Sequence, residues 1–457
     1  MPVYRVTVTG RDYDAMADLV RKHKVQLASH DAKKHPEGGY WVDVHADDEK
    51  IRELELAGYR LERREDAEEA GRQRQEEHRA AVARTGPAAV APFAAVGRYL
   101  TVDEVESALA AAAAANAPFT QLIQLPNPTW EGRRCQALKI GVGGGANRPG
   151  IYFLGGVHAR EWGSPDILIN FVEQLTDAFR TGASITLGSR TFAAAEIHSI
   201  VNGKDIYIFP QANPDGRHFS MTQAPGWRKN RRPAGAGHHG PSCVGVDINR
   251  NYDFLWDFTR HFDPNAPVRN STHQCDHDIY IGPSPASEPE TRNAIWMLDS
   301  FRNIRYFIDV HSFGEDILYN WGDDKDQTTD SNMNFRNPAF DGKRGMPDDS
   351  AYREFIDASD KTFAIQLATR VQAGIAAVRG RNYTVEQSLT LYPTAGTSDD
   401  YAFSRHIVDP TKAKVLSYTI EWGSETNPTP FHPPYPEMSQ IIQEVTAGLL
   451  EFCLGAT

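Results

Sequence analysis

The sequence predicts an α/β protein in which a large sheet covered by helices follows a small α+β domain at the N-terminus. Two observations predict this organisation. The first 66 residues show strand-like and helix-like segments in the order β-α-β-β-α-β, which is the order of a ferredoxin-like sandwich. From about Arg98 onward, strand-like and helix-like segments alternate to the end of the chain, which is typical of a sheet with helices on both faces.

Hydrophobic periodicity defines the elements of the N-terminal domain, which we assign to residues 1–66. Apolar and polar residues alternate in "VYRVTVT" and in "GYWVDVH", which indicates two strands, and an amphipathic segment after each of them predicts a helix. The predicted elements are strands at 3–9, 39–45 and 58–63, helices at 12–23 and 47–57, and a weak strand near "VQLAS".

A linking segment, residues 67–97, separates this domain from the rest of the chain. The stretch "EDAEEAGRQRQEEHRAAVARTG" is charged, rich in helix formers and poor in core residues, and the stretch after it is rich in proline and alanine. We therefore predict a linking helix and a linker. Thr101 and Glu104 then fit an N-cap and its N3 partner, which indicates the first helix of a large domain at residues 98–457.

The strand candidates of the large domain are mostly continuous apolar runs, as expected for buried parallel strands. Chemistry in such a sheet is expected at the carboxyl ends of its strands. The glycine-rich "GVGGGA" at residues 141–146 precedes another strand rather than a helix, so it predicts a hairpin turn and not a phosphate-binding loop. The strand candidates are "CQALKIGV", "IYFLGG", "DIYIFPQ", "YFIDVHS" and "KVLSYTIEWG".

Composition argues against several classes of protein. The net charge of -12 argues against nucleic-acid binding, which needs a clustered basic face. The longest low-polarity run, "SALAAAAAANAPF", is too short to span a bilayer, so no membrane segment is expected. The N-terminus lacks a basic region followed by an apolar one, so the chain as written predicts a cytoplasmic protein without a secretion signal. None of the four cysteines forms a C-x-x-C pair, which argues against a zinc ribbon or a thioredoxin-like redox motif.

Three residues form a candidate metal site. His158 and Glu161 lie three positions apart directly after a strand candidate, so an imidazole nitrogen and a carboxylate oxygen could converge on one zinc ion. This spacing alone is usually coincidental. His311, at the end of "YFIDVH", stands where a third ligand belongs.

Two further groups suit a hydrolytic site at such a metal. Glu421 ends an apolar strand candidate, where a carboxylate is costly unless it activates water or belongs to an ion pair. Arg228, Asn249 and Arg250 supply donors that could hold a carboxylate, although a basic run is usually a solvated surface.

Taken together, these residues and three further motifs resemble the zinc carboxypeptidases of the pancreatic A and B type, also called funnelins, over nearly all of residues 98–457. The motifs stand in the family's order: "NPDG" at 213–216, "WRK" at 227–229 and "CVGVDINRN" at 243–251. The resemblance implies the carboxypeptidase fold, a mixed, mostly parallel twisted sheet flanked by helices. It also implies one Zn²⁺ per catalytic domain.

The resemblance implies a role for each residue near the metal. His158, Glu161 and His311 would bind zinc, with water as the fourth ligand. Asp247 would hydrogen-bond His158 and orient it. Glu421 would be the general base.

The resemblance also implies the residues that bind the peptide. Asp399, just before the pair Asp400-Tyr401, occupies the specificity position, where an acidic residue favours a C-terminal Lys or Arg. Phe313 stands where the pancreatic enzymes carry a tyrosine, which puts the subsite preferences in doubt. The other implied contacts are Arg228 at the scissile carbonyl, Asn249 and Arg250 at the terminal carboxylate, Tyr392 closing over the substrate, and Arg160 at an outer subsite.

Three features outside the site carry further expectations. Residues 321–349 are rich in Asp, Asn and Gly and predict a long surface loop that either shapes substrate entry or binds calcium. Cys243 and Cys275 match positions joined by a disulfide in secreted members, which favours an oxidising compartment although no signal is visible. The N-terminal domain resembles the family's inhibitory pro-domain, and Arg79 and Arg84 offer cleavage sites for a zymogen.

The expected function is zinc-dependent hydrolysis of the C-terminal peptide bond, which releases one residue, Lys or Arg, by attack of zinc-bound water that Glu421 deprotonates. We expect peptide or protein C-termini as partners, a monomer, and neither nucleic acid nor membrane. Two alternatives stay open: an amidohydrolase of the same fold that acts on N-acyl amino acids or cell-wall peptides, and an inactive peptide-binding homologue. The clamp of Asn249, Arg250 and Tyr392 favours ordinary peptides, and the complete set of ligands and base argues against the inactive homologue.

Overall fold

The computed structural model describes residues 3–23, 25–27, 32–35, 38–86, 96–143, 148–346, 350–427 and 429–457. Two sheets dominate these residues: a small antiparallel sheet near the N-terminus and a sheet of eight strands in the remainder of the chain.

The N-terminal sheet has the predicted ferredoxin-like order of elements with one short strand more than predicted, because two strands, β2 and β3, lie between α1 and β4. Its central strand β1 pairs antiparallel with β4 on one side and β5 on the other, and the two shortest strands pair with β4. Alternate side chains of β1 and β4 point to the same face and form a core with the two helices, as the period of two predicts. The elements are β1 (Val3–Gly10), α1 (Tyr13–Arg21), β2 (Gln26–Leu27), β3 (Lys33–Lys34), β4 (Tyr40–Asp47), α2 (Asp48–Leu56) and β5 (Arg60–Asp66).

The long helix α3 (Ala67–Thr85) follows directly and packs on the large part of the chain. Gly71 lies against the ring of Pro225, where a β-carbon would have no room. Gln75 is buried and donates a hydrogen bond of 2.7 Å to the backbone oxygen of Ser220. The opposite surface of the helix is charged and exposed, so α3 docks through a narrow polar and small-residue face rather than through an apolar stripe.

The eight-stranded sheet is mixed and mostly parallel, as expected. Its strand order is β16-β13-β17-β12-β8-β11-β7-β6. Four neighbouring pairs are parallel, and three, which lie toward the edges, are antiparallel. The first half of the domain contains α4 (Val102–Ala115), β6 (Thr120–Gln124), β7 (Gln136–Ile140), β8 (Gly150–Gly155), α5 (Gly163–Thr181), β9 (Ile185–Leu187), β10 (Arg190–Phe192), α6 (Ala194–Gly203), β11 (Asp205–Phe209) and α7 (Pro214–Thr222).

The second half of the domain completes the sheet and its helical layers. It contains α8 (Phe258–His261), α9 (Pro289–Ser300), β12 (Ile304–His311), β13 (Asp316–Tyr319), β14 (Asp326–Gln327), β15 (Glu354–Phe355), α10 (Ala358–Arg379), β16 (Thr384–Gln387), α11 (Ser398–Val408), β17 (Leu416–Glu421) and α12 (Tyr435–Gly455).

Continuous apolar runs arise because the central strands are covered on both faces. In β8, Ile151 and Phe153 belong to one hydrophobic core, whereas Tyr152 and Leu154 belong to a second core on the opposite face. The first core includes residues of α5, α10 and α12, and the second includes residues of α9 and α11. Each strand residue is therefore buried, and the polar alternation of a one-sided strand is lost.

Two expectations about this domain need correction. The strands on either side of "GVGGGA" are not a hairpin, because β11 lies between β7 and β8 in the sheet, and residues 144–147 of that stretch lie outside the described residues. The segment 321–349 is not entirely a surface loop: Trp321 is fully buried and stacks on Phe254, and Asp323 and Asp324 are also buried. In the described part of this segment, no three acidic side chains bring their oxygens together for one ion.

The chain carries one cross-link among its described residues. Cys243 and Cys275 form the disulfide that the resemblance implies, and Cys135 and Cys453 are buried thiols. Across the described ranges, no helix combines the length and apolar character needed to cross a bilayer.

Three histidines lie where the N-terminal part of the chain meets the large domain. His45, on β4, lines a cavity of about 580 Å³ together with Arg160. His78, on α3, has its ring 6.2 Å from that of Trp162, and His432 stacks on the same indole at 4.3 Å. Burial, with a smaller contribution from nearby arginines, lowers the pKa of each of the three imidazoles to about 4.

We therefore predict that acid weakens the contact between the N-terminal part and the large domain. A neutral imidazole in the docked state must take up a proton when it is exposed below its ordinary pKa of 6.5. Docking is thus fully stable above about pH 6.5 and loses stability as the pH falls toward 4. Small-angle X-ray scattering should show a larger radius of gyration at low pH, while circular dichroism shows that helix content is retained.

Matched variants separate this effect from general acid unfolding. Replacement of all three histidines by glutamine should reduce the expansion, whereas His273→Gln, at an exposed site, should not. A wild-type protein whose radius stays constant down to about pH 4 would contradict the prediction.

Candidate active site

Parallel pairing of three central strands assembles the candidate site. His311 ends β12, Glu421 ends β17, and the two residues are paired in the register of these strands. β8 is the other neighbour of β12, and His158 follows β8 by three residues. The carboxyl ends of parallel strands share one edge of a sheet, so residues far apart in sequence meet there.

His158, Glu161 and His311 form a compact donor cluster. His158 Nδ1 lies 2.7 Å from Glu161 Oε1, and His311 Nδ1 lies 3.0 Å from both His158 Nδ1 and Glu161 Oε2. All three side chains are at most 5% exposed. Two imidazole nitrogens and one carboxylate are a donor set that zinc prefers, and three protein ligands leave a position open for water or substrate. The donor set therefore fits a catalytic zinc ion.

Another group of potential ligands in the described residues does not fit a metal. His238, Cys243 and Cys275 lie close together, but the two sulfur atoms are joined to each other. A disulfide offers no thiolate, so this group lacks the donor that a structural zinc site requires.

A buried carboxylate lies behind each histidine of the cluster. Asp247 Oδ1 is 3.3 Å from His158 Nε2, and Asp309 Oδ2 is 3.0 Å from His311 Nε2. Asp309 was not predicted. The signal was present, because residues two apart in a strand share a face and Asp309 stands two before His311.

The charges of the cluster favour a bound cation. Burial opposes ionisation of Glu161, but the imidazoles of His158 and His311 hold its pKa well below the usual range. Burial also opposes ionisation of Asp247, yet the Arg228 guanidinium keeps the pKa of that carboxyl low. The carboxylates of Asp309 and Glu161 outweigh burial and raise the pKa of His311. The centre therefore holds ionised carboxylates in a buried place, where their charge acts strongly.

Glu421 lies with His158 and Glu161 on the wall of one pocket. Its Oε2 atom is shielded from solvent and has no hydrogen-bond partner among the described residues. Burial raises the pKa of this carboxyl well above its usual range, and Glu161 and Asp316 add to the effect. A cation held by the cluster would favour the carboxylate form of Glu421 again. The group is thus placed to exchange a proton with a molecule in the pocket.

The predicted cationic and amide donors also line the pocket. Arg228 donates from Nε and Nη2 to Asp247 Oδ2, at 3.0 and 2.9 Å. Asn249 and Arg250 lie on a short 3-10 turn, and Asn249 Oδ1 accepts a hydrogen bond of 2.8 Å from the backbone N–H of Ser398. The guanidinium of Arg250 lies 6.0 Å from the centre of the Tyr392 ring.

The remaining predicted residues also line this pocket. Asp399 is 4% exposed, and its Oδ2 atom accepts hydrogen bonds of 3.2 Å from the hydroxyls of Ser388 and Thr419. Arg160 lies over the ring of Phe431 at 4.0 Å and 3.6 Å from the carboxylate of Asp278. Nine predicted residues share the pocket wall: His158, Arg160, Glu161, Arg228, Asn249, Arg250, Tyr392, Asp399 and Glu421.

Sequence reasoning missed one further cation in the pocket. Arg269 lines it, and its guanidinium lies 5.4 Å from the centre of the Tyr392 ring. Arg250 lies near the same ring. Arg269 Nη1 donates a hydrogen bond of 3.4 Å to the backbone oxygen of Val25, in the N-terminal part of the chain. No motif surrounds Arg269, so its position in the pocket could not be predicted from the local sequence.

Comparison with known proteins agrees with this geometry. The family model described as zinc carboxypeptidase matches residues 105–448. Carboxypeptidase B of Astacus astacus is 31% identical over 276 residues, which cover 60% of this chain and 72% of that protein. Human carboxypeptidase B is 27% identical over 301 residues, which cover 63% of this chain and 58% of that protein. The chain thus spans only part of the length of these relatives.

A solved structure shares the fold over the whole chain. The crystal structure of carboxypeptidase A from Helicoverpa armigera superposes with a TM-score of 0.74 at 21% identity and covers 100% of this chain and 97% of that chain. This likeness includes the N-terminal elements. The family match covers most of the chain and spans every residue of the donor cluster and the pocket, so the chain belongs to the zinc carboxypeptidase family.

Proposed function

We propose that residues 98–457 form a zinc-dependent carboxypeptidase that removes single residues from the C-termini of peptides or proteins. One observation carries the proposal: His158 and Glu161 of the donor cluster line one pocket with the Glu421 carboxylate and the donors of Asn249 and Arg250. His311, the third member of the cluster, has its Nδ1 atom 3.0 Å from both His158 Nδ1 and Glu161 Oε2. Hydrolysis of a terminal peptide bond needs these three groups at once, one for the metal, one for the proton and one for the terminal carboxylate.

We propose His158, Glu161 and His311 as the zinc ligands and Asp247 as the residue that orients His158. Bound zinc supplies a Lewis acid and makes a bound water more acidic. The protein supplies a buried site with three ligands and carboxylates behind two of them, which fixes the direction in which the imidazoles point.

Glu421 is the proposed general base. Its unpaired oxygen borders the pocket, so it can take a proton from water and later give it to the departing amine. Arg228 lies in the same wall with its guanidinium held by Asp247, and a fixed cation there stabilises negative charge that develops on the scissile carbonyl oxygen.

Recognition of a free C-terminus is assigned to Asn249, Arg250 and Tyr392. A guanidinium binds a carboxylate through two parallel hydrogen bonds, which an internal peptide carbonyl cannot provide. Tyr392 stands beside Arg250 and is suited to cover the bound residue. Arg160, at the outer rim with Phe431, would contact residues further from the terminus.

Asp399 is the proposed specificity residue. Its carboxylate is buried on the wall of the pocket, and the partners that the structure gives it are hydroxyls and a backbone N–H rather than a cation. A buried carboxylate without a counterion favours a ligand that brings a positive charge. We therefore infer a preference for C-terminal Lys or Arg.

The N-terminal part is proposed to be an inhibitory domain. We assign residues 1–66 to this domain, 67–97 to the linking helix and linker, and 98–457 to the catalytic domain. The hydrogen bond from Arg269 to Val25 ties this part to the rim of the pocket, and Arg79 and Arg84 are exposed on α3, where a protease could reach them. The disulfide supports an oxidising, extracellular compartment.

Two substitutions test the division of labour between metal and base. Glu421→Gln should keep the metal content and lower kcat by about 10²- to 10⁴-fold, because it removes proton transfer but no ligand. His158→Ala should lose zinc. Metal content by mass spectrometry and turnover of a C-terminal arginine peptide check both expectations, with Glu386→Gln on β16, outside the pocket wall, as control. Near wild-type turnover by Glu421→Gln would remove this residue from the mechanism.

A third substitution tests the specificity. Asp399→Asn should lower kcat/KM for peptides that end in Arg or Lys by at least about 30-fold, or about 2 kcal/mol, because a buried charge loses its partner. Peptides that end in Leu should be affected little. The control is Asp409→Asn, at the exposed end of the same helix. Equal losses for Arg and Leu peptides would assign Asp399 a structural role instead.

A further inference from the structure

Asp309 makes contacts that no sequence motif predicted. It lies on β12 two residues before His311, and the side chain is fully buried. Its Oδ2 atom lies 3.0 Å from His311 Nε2 and accepts a hydrogen bond of 2.6 Å from the hydroxyl of Ser398. One carboxylate oxygen therefore touches both a proposed zinc ligand and the first residue of α11.

The carboxylate is poorly explained as a structural group. Its other oxygen, Oδ1, is buried without a hydrogen-bond partner among the described residues. Within the described part of the chain, the hydroxyls of Tyr152 and Tyr252, two members of one hydrophobic core, are likewise buried without a hydrogen-bond partner. Burial of a carboxylate with an unsatisfied oxygen costs stability. This cost indicates that the Asp309 carboxylate serves a neighbouring group rather than the stability of the fold.

The contacts continue from Asp309 into the substrate end of the pocket. The N-cap residue of α11, Thr397, makes no capping hydrogen bond with its side chain. The hydroxyl of Ser398 donates a hydrogen bond to Asp309, and its backbone N–H donates one of 2.8 Å to Asn249 Oδ1. The next residue is Asp399. A chain of polar contacts thus runs from His311 through Asp309 and Ser398 to the residues that we assign to the terminal carboxylate and to specificity.

We propose that Asp309 is a positioning residue that acts through His311 and Ser398. A carboxylate oxygen 3.0 Å from Nε2 favours the tautomer with the proton on that nitrogen, which leaves the lone pair of Nδ1 on the side of His158 and Glu161. The hydrogen bond from Ser398 fixes the start of α11 relative to His311. The distance between the metal ligands and Asn249 is therefore set by Asp309. This inference rests on the proposed function, because it concerns the same metal site.

Metal affinity measured without substrate provides the test. The intact protein is freed of metal, and Zn²⁺ and Co²⁺ are titrated against a competing chelator, with the visible spectrum of bound Co²⁺ recorded as a report on ligand geometry. Asp309→Ala should weaken metal binding by about 10- to 100-fold and change the Co²⁺ spectrum. Asp309→Asn keeps the shape but not the charge and should lose less.

Two further variants separate positioning from general destabilisation. Ser398→Ala should leave metal affinity within about threefold of wild type but raise KM more than it lowers kcat, because it loosens the substrate end only. Asp205→Asn removes another buried carboxylate, at the first residue of β11, which lies two strands away from β12 in the sheet. There Asp205 pairs with Lys139 and Arg148. This substitution should leave both metal affinity and the Co²⁺ spectrum unchanged.

The outcomes distinguish this inference from the proposed function. If wild type binds Co²⁺ and His158→Ala does not, the metal site stands, and an Asp309→Asn protein with wild-type affinity and spectrum would then overturn the positioning role. If wild type itself binds no metal, the proposed function fails first. Should Asp309→Ala not fold, Asp309→Asn carries the test alone, with circular dichroism as the check of folding.

Discussion

Parallel pairing of β8, β12 and β17 is the constraint on which the site depends. It brings His158, His311 and Glu421 to one edge of the sheet although long stretches of chain separate them. The pairing is held by side chains that enter two cores on opposite faces of the sheet, so the strands cannot slip by one residue without exchanging the cores. Hydrophobic packing of the strands, rather than the polar contacts within the site, therefore fixes the relative positions of the site residues.

Electrostatics explains why so many charged groups can be buried at this edge. Arg228 donates two hydrogen bonds to one oxygen of Asp247, and Asp309 and Glu161 border His311. Each of these contacts offsets part of the desolvation cost that burial imposes. Glu421 and Asp399 are the exceptions, since neither is paired with a cation among the described residues. Each of these two carboxylates faces the pocket, which is where a bound metal, a water or a basic side chain would complete the pairing.

The sequence predicted the fold class and nine of the residues that line the pocket, because both leave local signatures. Apolar runs and the β-α-β-β-α-β order survive as periodicity, and the residues at strand ends stand in recognisable motifs. Prediction from the sequence failed where a feature depended on contact with a segment far away in the chain. The neighbour of β7 is β11, not β8; Trp321 is buried by Phe254; and Arg269 reaches Tyr392 from a segment without a motif. The period of the strand could have placed Asp309 on the same face as His311, but the contact between the two side chains is seen only in the structure.

The most direct test of the central claim is mass spectrometry of peptides that end in Arg, Lys, Phe, Leu or Glu after incubation with the purified chain. The measurement is made before and after mild trypsin treatment, with a zinc chelator as control. The account predicts loss of single C-terminal residues, fastest for Arg and Lys, stronger after trypsin, and abolished by the chelator. Absence of trimming for every peptide in both states would contradict it and favour an amidohydrolase or a peptide-binding protein of the same fold.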